Sequence, residues 1–182
     1  MQGNVSYDVF FEPAVKLFCR QLKDCQSPEP EVSTDSEEAE QIKKTNRKWL
    51  IPLKSSVTGK EVLYPVSTVW LQGNILSIVN ETHLILKDLS GGIAKINYKD
   101  AVAGGSDWIN RGINNIFHAQ NVFNIYFIIC LGVYCSVIGN ILSSTQTPQI
   151  QAVKMNKLDN VHLETLWEWE VKDLANELVD NM

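Results

Sequence analysis

Cysteine is scarce in this sequence, and the spacing of what is present does not suit a metal. The cysteines are Cys19, Cys25, Cys130 and Cys135, with intervals of Cys19-x5-Cys25 and Cys130-x4-Cys135. Neither is the tight CxxC pair of a zinc site, so the thiols read as buried and inert. The N-terminal MQGNVSYDVF has no basic n-region and no long apolar h-region, so neither a secretory signal nor disulfides are expected. A basic surplus is missing too. The net charge is −5, whereas a chain that lives on phosphate contacts normally carries a basic stripe. Catalytic signatures are absent as well. His83, His118 and His162 are scattered, with no HExxH and no nucleophile elbow. Ser90-Gly91-Gly92 is a turn rather than a phosphate loop, because no GK[ST] follows it. The acidic pairs Glu37-Glu38 and Glu168/Glu170 fall on a linker and on a solvated helix face. No catalytic residue, cofactor or metal ligand is expected, and the chain does not read as an enzyme.

What is present suits one globular domain. The chain has 182 residues, of which 45% are hydrophobic, enough for a real core. Residues 1–25 form an N-terminal segment whose stretch from 9 to 25 reads as a short amphipathic helix. Val15, Phe18 and Leu22 recur at helical spacing, Leu17 widens the stripe, and Pro13 sits in the first turn. Residues 26–46, QSPEPEVSTDSEEAEQIKKTN, are acidic and without aromatics, and read as a disordered linker.

Residues 47–180 carry strand patterns. Lys48–Lys54 is a short apolar run with Pro52 in it, suited to an edge. In the stretch Val66–Val79, Val69, Leu71 and Ile75 face one way and Trp70, Gln72 and Asn74 the other. Gly73 interrupts the series, as a bulge or sharp bend would. Thr82–Asp88 alternates, Leu89–Gly92 turns, and Ile93–Asn97 returns. A short helix-like stretch, Tyr98–Ala103, is followed by strands over Gly132–Ser143 and Gln149–Met155. That order is the order of an OB fold, a five-stranded Greek-key barrel. The C-terminal segment reads as an amphipathic helix with Asn160 as N-cap. Leu163, Leu166, Trp167, Val171, Leu174 and Leu178 form its apolar stripe, with Trp169 off it. A small barrel covers only part of such a stripe, so the remainder calls for a partner.

Val122–Leu142, VFNIYFIICLGVYCSVIGNIL, contains no charge and is long enough for a membrane span. Three readings remain: a helix packed on the barrel or a partner, translated non-coding sequence, or a true single-pass span over about 122–142. The last would consume the barrel's fourth strand and leave an open edge. A single-strand-binding module is a further alternative. It would stack bases on Trp70, Tyr98 and Tyr134 beside Lys87, Lys95 and Lys99, although aromatics in strands are more often core.

Several blocks, in order along the chain, resemble the RecQ-mediated genome instability protein 2 family. They are EPAVKLFCRQL, VSTVWLQGNIL with its VWxQG core, KDLSGGIAKI, GVYCSVIGNILSSTQTPQIQAVKM and LETLWEWEVKDL. The resemblance implies a non-catalytic OB-fold subunit in the nucleus that forms a heterodimer with a larger OB-fold subunit of the RecQ-mediated genome instability protein 1 type. Through that subunit it would support topoisomerase III and a Bloom-type RecQ helicase in DNA replication, DNA repair and double Holliday junction dissolution. Little or no direct DNA binding and no membrane association are implied. Lys154 in QAVKM and Trp167 in LWEWEV match family positions on the pairing face. Residues 109–131 have no counterpart in the resemblance. With Trp108 joined to Gly132, the rest reads as an ordinary member.

Overall fold

The computed structural model describes residues 13–27, 48–101, 131–160 and 162–182. The expected insertion over 109–131 falls outside these residues except for Leu131, as do the acidic linker except for Gln26 and Ser27, the start of the proposed N-terminal helix, and Cys130.

The described elements are the strands β1 (Val15–Lys16), β2 (Trp49–Lys54), β3 (Glu61–Val66), β4 (Thr68–Asn80), β5 (His83–Lys87), β6 (Ile93–Asn97), β7 (Tyr134–Ser143) and β8 (Gln149–Lys157). A 3₁₀ helix covers Cys19–Asp24, and α1 covers His162–Asp180. The larger sheet has six strands in the order β1-β4-β5-β6-β8-β7, and β7 also pairs with β4. Strands β4, β5, β6, β8 and β7 therefore close into a ring. β6 and β8 run parallel, while the other pairs within the ring are antiparallel. β2 and β3 make a separate two-stranded sheet.

The inward positions are those that alternation picks out. Val69, Leu71, Ile75, Leu84, Leu86, Ala94, Ile96, Val137 and Ile150 are all at most 1% exposed. β7 takes up Tyr134–Ser143, which includes the C-terminal part of the apolar run. A span over 122–142 would need those residues helical, so the structure contradicts it. Among the described residues no helix is long and apolar enough to cross a membrane.

Gly73 is not at a bulge. It stays in register opposite Cys135, and the register shifts of β4 fall after it, between Ile75 and Ser77 and between Ile78 and Asn80. What requires glycine at 73 is the approach of the neighbouring strand, because a Cβ there would run into the Lys87 carbonyl.

The N-terminal helix is not formed over its described part. Val15 and Lys16 instead pair in parallel with Val69 and Trp70, Phe18 is extended, and only Cys19–Asp24 coils, as a 3₁₀ turn. The physical reason lies in Leu17 and Phe18. Leu17 enters the main core, and Phe18 enters a second cluster with Trp167 and Val171. Adjacent residues point to opposite sides only on extended backbone. Cys19 and Leu22, three apart, then share one buried face of the 3₁₀ turn.

This segment is fixed to the ring by a buried carboxylate. Asp88, 6% exposed, accepts the Cys19 amide through Oδ2, and through Oδ1 it accepts the amide and hydroxyl of Ser90. Gly92 lets the two segments touch, since a Cβ there would strike the Arg20 backbone. Asp88→Ala leaves the buried Cys19 amide without an acceptor. It is expected to lower unfolding stability by about 1–3 kcal/mol, and Asp88→Asn, which keeps an acceptor, by less. Urea melts of the three proteins check this, and an unchanged midpoint for Asp88→Ala would show that the carboxylate anchors nothing.

Candidate partner-binding face

Helix α1 begins at a capped end. The Asn160 Oδ1 accepts the His162 amide at 2.9 Å, in keeping with Asn160 as N-cap. The buried line along the helix is Trp167, Val171, Ala175 and Val179. It steps by four residues and is rotated away from the stripe expected from Leu163, Leu166 and Leu174. Ala175 and Val179 escaped the sequence reading because a stripe through Leu174 and Leu178 passes one position to the side of them.

Trp167 is 1% exposed. It lies against Trp70 with ring centroids 5.7 Å apart and tilted by 49°, and packs with Phe18 and Val171. Above the two indoles sits the Lys16 ammonium, 5.0 Å from the Trp70 centroid and 5.9 Å from that of Trp167. It also pairs with Glu170 at 3.3 Å. One lysine thus joins β1 to α1, through charge and through the faces of both rings.

The helix packs against β1, β2, β3 and β4, and the outer side of β4 and β7 next to it is polar. Trp70 Nε1 donates to Ser136 Oγ at 2.7 Å, Tyr134 donates to Gln72 Oε1 at 3.1 Å, and Asn74 Nδ2 donates to Glu164 Oε1 at 3.3 Å. Burial, followed by the charge of Glu164, pushes the Tyr134 hydroxyl well above its usual range, so it acts as a neutral donor. At the far end of the helix, Ser55 and Thr58 donate to Asp180, and Ser56 donates to Asn176. These bonds tie the helix to the β2–β3 turn.

The residues expected at an interface therefore divide. Trp167 and Val171 are covered by their own chain. A direct contact from Trp167, as the stripe implied, would require the packed helix to move. Leu163 is half-buried. Leu174 and Leu178 line a cleft of about 270 Å³ with Tyr64, Pro65 and Val15. Leu166 is 52% exposed, and Trp169, which the stripe left aside, is 69% exposed. Lys154 is exposed and stands opposite Ile138, which in turn stands opposite Trp70. Lys154 thus shares the outer face with the helix seat, two strands or about 10 Å away. Leu142 and Val153, on the same two strands, are 52% and 45% exposed. Lys154 has no ion-pair partner among the described residues.

The aromatics named for base stacking are not free. Tyr98 is 3% exposed, Trp70 lies under Lys16 and against Trp167, and Tyr134 is half-buried. Cys19, Cys25 and Cys135 are free and buried. Burial raises all three thiols, that of Cys25 to about 12, so they stay protonated and unreactive. No group of metal-ligating side chains occurs among the described residues.

A closed ring of strands with a long helix seated on its outer face, two large apolar side chains of that helix standing free, defines a small, mainly β protein. The chain belongs to the RecQ-mediated genome instability protein 2 family, whose model matches residues 13–175. No curated protein matches it. Among solved structures it is similar to the S. pombe Stn1-ten1 complex, with 13% identity and a TM-score of 0.41 over 71% of this chain and 89% of that one.

Proposed function

We propose that the chain is a non-catalytic OB-fold subunit that pairs with a larger OB-fold protein of the RecQ-mediated genome instability protein 1 type. The strand ring β4-β5-β6-β8-β7, with its parallel β6–β8 pair, has the connectivity of an OB barrel. Family membership supports the wider role: a nuclear complex with topoisomerase III and a Bloom-type RecQ helicase that dissolves double Holliday junctions and maintains genome stability.

The observation that carries the pairing is the free apolar face of α1. Leu166 and Trp169, three residues apart, stay 52% and 69% exposed while the rest of the helix is tied down. Large aromatics centred on a polar-rimmed patch act as anchors in protein interfaces. Around them the helix is acidic, with Glu164, Glu168, Glu170, Asp173, Glu177 and Asp180 against Lys172 alone. That charge repels nucleic acid and favours a basic rim on the partner. We assign Leu166 and Trp169 as the direct contacts, with Leu163 on the same helix and Ile138 and Lys154 on the sheet as further contacts, and Trp167, Val171, Leu174 and Leu178 as the residues that hold the helix in place.

Mixing the full chain with the larger subunit and following the mass by size exclusion with light scattering tests this. A 1:1 complex is expected. Failure to associate, together with salt-sensitive submicromolar binding to single-stranded DNA, would replace the pairing role with a DNA-binding one.

A further inference from the structure

A second surface lies on other strands. Because Leu84, Leu86, Ala94 and Ile96 fill the interior, His83, Ile85, Lys87, Ile93, Lys95 and Asn97 point outward. The register sets Ser77, Ile85, Lys95 and Gln149 in one row across β4, β5, β6 and β8, and Asn74, Lys87 and Ile93 in the next. The register shifts of β4 skip Leu76 and Val79, which are 52% and 51% exposed. The result is an apolar strip of Leu76, Val79 and the half-buried Ile85, bordered by Lys87 and Lys95 as diagonal neighbours about 7–8 Å apart. Neither lysine has an ion-pair partner among the described residues.

We propose that this outer face of β4–β5–β6 docks an acidic, amphipathic peptide segment of a partner protein. Charge complementarity selects the occupant. Two ammonium groups without an ion-pair partner among the described residues border the apolar strip, so a segment with carboxylates beside Leu or Phe anchors neutralises the lysines and buries Leu76, Val79 and Ile85 together. A nucleic acid fits less well. The outward positions of β5 and β6 carry no Phe, Tyr or Trp, so there is no stacking platform, and two lysines neutralise few phosphates. The strip lies on β4 and β5, whereas the pairing residues lie on α1, β7 and β8, so the two readings stand or fall separately.

The test uses the full chain and a fluorescein-labelled amphipathic peptide of about fifteen residues, with Leu and Phe on one face and Asp and Glu on the other. Fluorescence anisotropy is expected to show saturable binding that salt weakens. The double variant Lys87→Glu/Lys95→Glu should weaken it about tenfold or more, and Val79→Ser should weaken it independently. Lys154→Glu should leave it unchanged. All these positions lie on the surface, and melting curves for each variant separate a folding defect from a binding one. The proposal is overturned if the peptide does not bind, if the double variant binds it as well as the parent, or if an oligo-dT strand binds this face more tightly than the peptide.

Discussion

Trp167→Ala should unfold far more easily than the parent chain, by about 3–5 kcal/mol, the usual cost of deleting a buried indole. For a chain of this size that is a fall in Tm of roughly 10 °C. Trp167 is 1% exposed and is shared between two parts of the fold: Phe18 from the N-terminal segment and Trp70 from β4. Its removal opens a cavity between them. It also removes one of the two rings beneath the Lys16 ammonium, so β1 and α1 loosen together. Trp167→Phe should cost much less. It keeps most of the apolar volume and deletes an indole N–H that is buried without a hydrogen-bond partner among the described residues, a group whose burial is itself unfavourable. Calorimetric melts of the three chains decide the matter. A Trp167→Ala protein that melts like the parent would mean that the helix does not rest on this ring.

Much of this arrangement is legible in the sequence, and the exceptions have physical causes. Strands with strict alternation, such as Leu84 and Leu86 against Ile85 and Lys87, announce their inner face directly, and the Ser90–Gly92 turn fixes the return strand. The N-terminal segment misleads because Val15, Phe18 and Leu22 match helical spacing by coincidence. Their burial comes from two separate clusters, which only the tertiary fold brings within reach. β3 is invisible as a strand of its own because Pro65 interrupts its pattern and only Val66 of its six residues is buried, so no inner face shows. Its pairing with β2 depends on the intervening turn at Ser55–Lys60. The helix face is the most instructive case. A stripe drawn through every leucine counts what is apolar, not what is covered. Leu166 and Trp167 are both apolar and adjacent, yet one stands 52% exposed and the other 1%. Which of them meets the ring is set by where Trp70 and Phe18 lie, information held far away in the chain.

Trp169→Ala should do the reverse of Trp167→Ala: it should leave the fold intact and remove most of the affinity for the larger subunit. Trp169 is 69% exposed, so the free chain buries little of its ring, and truncation should shift stability by no more than about 0.5 kcal/mol. In the proposed complex the same ring, with Leu166, would be the part of α1 that meets the larger subunit. Truncating a central interface tryptophan there costs about 2–4 kcal/mol, or roughly 30- to 1000-fold in affinity. Leu166→Ala should act in the same direction and more weakly. Because the two side chains are neighbours on one helix face, the double variant should fall short of the sum of the singles. Isothermal titration with the larger subunit, run beside the melts, separates the cases. Weak binding at a normal Tm for Trp169→Ala places the contact on the exposed helix face. Normal binding for Trp169→Ala, with a loss for Lys154→Ala, would move the pairing face onto β7 and β8, where Ile138, Leu142 and Val153 would have to supply the apolar area.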